Sequence, residues 1–136
     1  MNIDQIQGDV LTRLTSVSDF NTSVGGRVYA NQAPQDITYP YCTFFIFGAP
    51  QTRDSENLYE DFRLQIQIHQ NVNNSGFEVT NSIASKLTAL MDNTETTFTF
   101  TNYDLIRIDR DVNLTLPLEN DIERYQIDYL INLQGK

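Results

Sequence analysis

The side chains with the widest chemical range are scarce in this chain, which holds one histidine, His69, and one cysteine, Cys42, among 136 residues. Zinc sites recruit several Cys and His ligands, so one of each, on runs of different parity pattern, does not make one. His69 falls on the polar parity of an alternating run and reads as a surface or interface imidazole. Cys42 lies inside the most hydrophobic run and reads as a buried small hydrophobe; a lone cysteine forms no internal disulfide, which suits a reducing compartment. Any serine could act as a nucleophile in principle, but no Gly-x-Ser-x-Gly elbow occurs to support Ser/His/Asp catalysis. Acidic groups stand at Asp109 with Asp111 and at Glu119, Asp121 and Glu123. Strand parity puts the first pair on one face, where a divalent cation could sit, although a solvated strand face is the usual meaning of such charges. Gly25-Gly26 lacks the lysine and following helix of a phosphate loop and reads as backbone punctuation. No catalytic residue, cofactor site or metal site is assigned.

The balance of charge narrows the classes of partner. Eighteen acids against nine Lys plus Arg give a net charge of -9, and the basic residues are scattered singly, so a phosphate-gripping surface is not expected. The acidity suits solubility, or a surface past which a polyanion moves without sticking. The length fits one domain, 1–136, able to hold a core without staples. No basic segment followed by an apolar one opens the chain, and no apolar run approaches bilayer length, so neither an export signal nor a membrane span is expected.

The elements that must position these residues follow from periodicity. Ile3, Ile6, Val10, Leu14 and Val17 recur at steps of three and four, an amphipathic helix over 3–17 that Asn2 or Asp4 could cap and Gly8 weakens. Asp19 to Val24 allows one further short turn before Gly25-Gly26, and Arg27 to Ala30 is a short extended piece. Ile37 to Phe47 is the most hydrophobic stretch; Pro40 favours extended geometry at Tyr39, and the apolar residues on both parities predict a strand covered on both faces. Gly48-Ala49-Pro50 closes it. Gln51 to Asp61 is polar and long, which predicts a projecting loop. Phe62 to Gln70 alternates, with Phe62, Leu64, Ile66 and Ile68 inward and Arg63, Gln65, Gln67 and His69 outward. Ser75 and Glu78 fit a capping box, and Phe77, Val79, Ile83, Ala84, Leu87, Leu90 and Met91 mark the buried stripe of a second helix ended by Asp92-Asn93. Thr96 to Thr101 has strand propensity. Tyr103 to Leu116 and Ile122 to Leu133 read as an antiparallel hairpin across a turn at 117–121, with a bulge near Arg110. The fold class is α+β, mainly antiparallel sheet with two amphipathic helices packed on one face.

The ordered series Val24-Gly25-Gly26-Arg27-Val28-Tyr29, Ala33-Pro34-Gln35 and Tyr39-Pro40-Tyr41 resembles the tail-completion proteins of long-tailed bacteriophages, also called tail terminator or tail-to-head joining proteins. The likeness continues through the alternating strand, the capped helix and the closing strands. It implies a non-enzymatic virion protein at the head-tail junction, assembled in the host cytoplasm. Such a protein forms a ring, typically of six subunits, that caps the tail tube and docks the head's completion or connector protein, with DNA passing through without specific binding. The Gly-Gly-Arg and Tyr-Pro positions then look structural. In that setting the interface candidates are Arg53, Asp54, Glu56 and Tyr59 in the projecting segment, with Arg63, Gln65, Gln67 and His69 on the polar parity. Asp109, Asp111 and Asp128 are the channel-facing candidates. A small acidic inhibitor or immunity-type protein that binds one basic protein partner is the alternative, and a hydrolase or metal enzyme stands third.

Overall fold

The computed structural model describes residues 3–48, 52–53, 58–73 and 77–136. Among these residues three helices, α1 (Ile3–Leu14), α2 (Asp19–Ser23) and α3 (Phe77–Met91), accompany six strands, β1 (Val28–Ala30), β2 (Tyr41–Gly48), β3 (Thr52–Arg53), β4 (Leu58–Asn71), β5 (Tyr103–Glu119) and β6 (Ile122–Gly135). The strands form one sheet in the order β1-β2-β4-β6-β5, with β3 paired to the start of β4. Only β1 and β2 run parallel. The chain is α+β, as its periodicities predict, with the helices on one face of a mainly antiparallel sheet.

The core lies between the helices and that face. Ile6, Val10 and Leu14 of α1 and Ile83, Ala84, Leu87 and Met91 of α3 meet Cys42 and Phe44 of β2, Phe62, Leu64, Ile66 and Ile68 of β4, and Ile127, Tyr129, Ile131 and Leu133 of β6. Each large apolar side chain fully buried here contributes about 1.5–3 kcal/mol. The Tyr129 hydroxyl donates to Asp92 at 2.7 Å, which ties the C-terminal end of α3 to the middle of the sheet. Burial first, and then the bond to Asp92, raise the Tyr129 pKa above that of a free phenol. Asn93 follows in the left-handed conformation, φ 55°, and ends the helix.

Gly25 and Gly26 take φ of 60° and 72°, conformations that glycine adopts without Cβ strain. Their turn aims Arg27 at the entry to β2. Its Nε donates to the Pro40 carbonyl at 3.0 Å, and its own carbonyl accepts from the Cys42 amide at 2.9 Å. The Gly-Gly-Arg and Tyr-Pro-Tyr pieces are therefore joined physically. The Tyr39–Pro40 peptide is cis.

Four expectations are corrected. The central strand opens at Tyr41 after the Tyr-Pro step, but it is not covered on both faces, since only Cys42, Phe44 and Ile46 point to the helices. The opposite parity, Tyr41, Thr43, Phe45 and Phe47, lies on a face that no helix covers, with Phe47 51% exposed. The expected loop over 51–61 is instead occupied at both ends by a strand pair, Thr52 opposite Tyr59 and Arg53 opposite Leu58, so that β4 starts four residues before Phe62. Glu60 in that stretch is only 2% exposed, an acid that reads as loop in sequence but sits on the inner parity of the strand. Thr96 to Thr101 forms no strand beyond a single bridge between Phe100 and Tyr103. The amides of Thr97 and Phe98 close a turn onto the Thr94 carbonyl, and both phenylalanines are buried, stacked at 4.5 Å with Phe100 edge-on to Phe62. Packing of two rings won over ladder propensity there. Finally, α1 ends at Leu14 and leaves Val17 exposed in the corner before α2. The proposed cap at Asn2 and the Ser75 capping box lie outside the described residues.

The closing hairpin is as predicted, with its turn tightened to Asn120-Asp121. Both have positive φ, 52° and 64°, and Glu119 pairs with Ile122 across them, which is the geometry of a two-residue hairpin matched to strand twist. Register shifts fall between Leu105 and Arg107, Arg110 and Val112, and Leu116 and Glu119, so the expected bulge near Arg110 is present.

Candidate functional site

The uncovered face of the sheet gathers most of the residues singled out from the sequence. Cross-strand register places Tyr41 opposite His69, Thr43 opposite Gln67, Phe45 opposite Gln65 and Phe47 opposite Arg63. On the other side of β4, His69 meets Arg124, Gln67 meets Gln126, Gln65 meets Asp128 and Arg63 meets Leu130. Tyr59, Arg63, Gln65, Gln67 and His69 therefore form one column along β4. The side chain of Arg53, and Asp54 and Glu56, lie outside the described residues.

The channel-facing candidates share this face, bound to its arginines. Arg63 Nη1 donates to Asp111 at 2.7 Å and to Asp128 at 3.1 Å. Asp109 pairs with Arg107. Asp128 was expected on an exposed parity, but it is 7% exposed, beneath Arg63, and also accepts from Gln126 at 3.2 Å. Gln67 donates to Gln126 in turn at 3.2 Å, so one run of hydrogen bonds crosses the centre of the face. Both members of the Asp109–Asp111 pair are thus occupied by guanidinium groups. Among the described residues no group of three or more His, Cys, Asp or Glu is placed to hold a metal ion.

His69 occupies the other end of the face. Its ring stacks on Tyr41 at 4.4 Å and 7° between planes, and Nε2 lies 2.9 Å from the Thr43 hydroxyl. Burial first, and then the neighbouring Arg124, hold its pKa down at about 4, so the imidazole is neutral at pH 7. Read from the sequence as a surface or interface imidazole, it is half-buried and built into the sheet.

A trough of about 660 Å³ opens on this face near the end of β2, lined by Phe47, Arg63, Asp109 and Leu130, with Asp61, Asn132 and Arg107 beside them. Leu130 is 38% exposed, and Asn132 donates to Asp61 at 2.7 Å. Phe47, Arg63, Leu130 and Asp109 stand in one cross-strand row. At the β5 end Lys136 pairs with Asp104 at 3.7 Å. With Asp61, Arg124 and its partner Glu119 added, six strand carboxylates face four cations, a net of two negative charges out of nine. Sequence reading missed Leu130, Arg124 and Asn132 as members of this face; their outward parity was visible, but nothing before the register showed what they stand beside.

No helix among the described residues is long and apolar enough to cross a membrane. No protein-family model matches the chain, and no curated protein matches it in sequence. Among solved structures, a chain of the virion of a native gene transfer agent particle aligns with a TM-score of 0.78 at 14% identity, over 98% of this chain and 97% of its own. A second solved structure aligns with a TM-score of 0.55, also at 14% identity, over 100% of this chain and 96% of its own. At that identity the kinship is one of fold, and this chain has, end to end, the fold of a subunit of a gene transfer agent virion.

Proposed function

We propose that this protein is a structural subunit of a phage-like particle, acting at the junction of tail and head. The observation that carries the reading is the likeness in fold, across nearly the full length of both chains, to a chain of a gene transfer agent virion. The ordered motifs joined by Arg27 and Pro40 support the narrower role of a tail-completion protein. In that role the subunits close into a ring, six in number, on the end of the tail tube. The ring docks the head's completion or connector protein and lets DNA pass. A sheet covered by helices on one side only suits such a subunit, because the other side remains for contacts between proteins.

Negative-stain imaging of tails assembled with and without the protein tests this. Tube length and head attachment that depend on the protein are expected. Tails of unchanged length that still join heads in its absence would overturn the reading.

A further inference from the structure

We infer that neighbouring copies of this chain join by strand pairing, the edge of β5 over 112–116 in one copy adding to the bare edge of β2 over 45–48 in the next. This rests on the ring reading above and names its contact.

Both stretches present backbone that the sheet leaves unpaired. On β2, β1 covers only Cys42, Thr43 and Phe44. Asn31 donates its amide to the Phe44 carbonyl at 2.9 Å and then, at φ 66°, turns the chain off the sheet. The Cys42 amide points to the same side, at the Arg27 carbonyl. By the two-residue period of a strand, Ile46 and Gly48 also aim N–H and C=O there, with no strand beyond them among the described residues. At the other end of the strand order, β5 pairs with β6 alone.

The choice of stretch follows from how sheet edges are guarded, by charge, proline and bulges. Asp104, Arg107, Asp109 and Arg110 with two register shifts guard the first half of β5, and Pro117 and Glu119 with a third shift guard its end. Between them 112–116 carries no charge and keeps unbroken register with β6. The stretch 45–48 is uncharged as well, Phe-Phe-Ile-Phe-Gly from Phe44 onward. The outer edge of β1 is already used, since the Val28 amide donates to the Gly26 carbonyl and the Ala30 carbonyl accepts from the Gln32 amide. Other exposed apolar side chains come without such an edge: Ile106 stands at a bulge, Leu118 follows Pro117, and Phe77 opens a helix.

The two stretches also match by face. Register with Asp128, Gln126 and Arg124 puts Val112, Leu114 and Leu116 on the uncovered face, which Phe45 and Phe47 share. Pairing sets these apolar columns side by side, the kind of cross-strand contact that stabilises sheets. Because β2 and β5 run antiparallel within the sheet, copies set side by side in like orientation form an antiparallel pair. Leu114 stands level with Gln67 and Ile46 with Leu64, a stagger of three residues or about 10 Å, which closed rings of strands absorb by tilting. Across a two-fold axis β5 pairing with itself leaves the β2 edge bare, and β2 pairing with itself meets β1 on the same edge. Head-to-tail addition covers both edges and closes into a ring when the rotation per subunit allows.

Amide hydrogen exchange of the unmodified chain tests this, comparing dilute monomer with rings identified by native mass spectrometry at high concentration or in material recovered from particles. Exchange at Ile46 and at alternate residues over 112–116 should slow by roughly tenfold or more in the rings. Rings in which neither stretch slows, or only one of the two, would overturn the strand contact and leave the ring reading standing. Monomers at every concentration and in the recovered material would overturn both.

Discussion

Arg63 on β4 donates to Asp111 on β5 at 2.7 Å, although β6 lies between the two strands. The bulge between Arg110 and Val112 adds Asp111 to the strand at that point, and Asp128 on β6 supplies the stepping stone at 3.1 Å. One guanidinium thus couples three strands of the uncovered face.

Replacing Arg63 by Met should lower the thermal midpoint more than replacing Arg107 by Met. The first change leaves the buried Asp128 carboxylate without its cation, while the second removes an exposed pair. The double variant Arg63→Met, Asp128→Asn should lose less than the sum of the two single changes, since both act through one contact. Thermal unfolding of the four proteins checks this, and strict additivity would contradict the coupling.

Stability should depend on pH through His69. Its folded pKa of about 4 lies below the unfolded value of 6.5, so the unfolded chain binds the extra proton first on acidification. The contribution is fully present above pH 6.5, is lost as pH falls from there through 4, and levels off below. It amounts to roughly 3 kcal/mol. The difference between wild type and His69→Gln, measured by urea unfolding from pH 7 to pH 4, isolates it from the carboxylates. An NMR titration giving an ordinary imidazole pKa would contradict the burial of the ring.

Gly8 sits in the middle of α1, and a Cβ added there meets nothing within 4 Å. Gly8→Ala should therefore stabilise the protein by about 0.5–1 kcal/mol through helix propensity alone. A rise of roughly 2–3 °C in the midpoint is expected.

The turn over 94–100 can be told from a strand by its side chains. Phe98 is buried, stacked on Phe100 and capped by the Arg13 guanidinium 5.8 Å from its ring centroid. Phe98→Ala should cost about 3–5 kcal/mol. Thr99→Ala, at an exposed position, should stay within about 0.5 kcal/mol. Comparable losses at both positions would contradict the packing described.

Periodicity made most of this architecture legible. The 3.6 spacing of Ile83, Leu87 and Met91 and the alternation of Leu64, Ile66 and Ile68 each have one structural meaning, and the helices and long strands formed where those patterns stand. Thr96 to Thr101 was misleading because its alternation comes from two rings that pack against each other and Phe62, a tertiary fact with no local signature. The early start of β4 was hidden by Glu60 and Asp61, which read as loop although one is buried and the other bonds Asn132. The column of Arg63, Gln65, Gln67 and His69 was visible from parity. Its partners were not, because a shift of strand register by two residues preserves every parity and changes every neighbour. Arg63, Asp111 and Asp128 stand 48 and 65 positions apart, and only the sheet brings them together.

The measurement closest to the central claim is native mass spectrometry of the protein at high concentration and of protein recovered from particles. A closed ring of six copies is expected, in the free protein or in the recovered material. Strictly monomeric protein in both settings would contradict the ring, and with it the role of a subunit that caps a tail and joins it to a head.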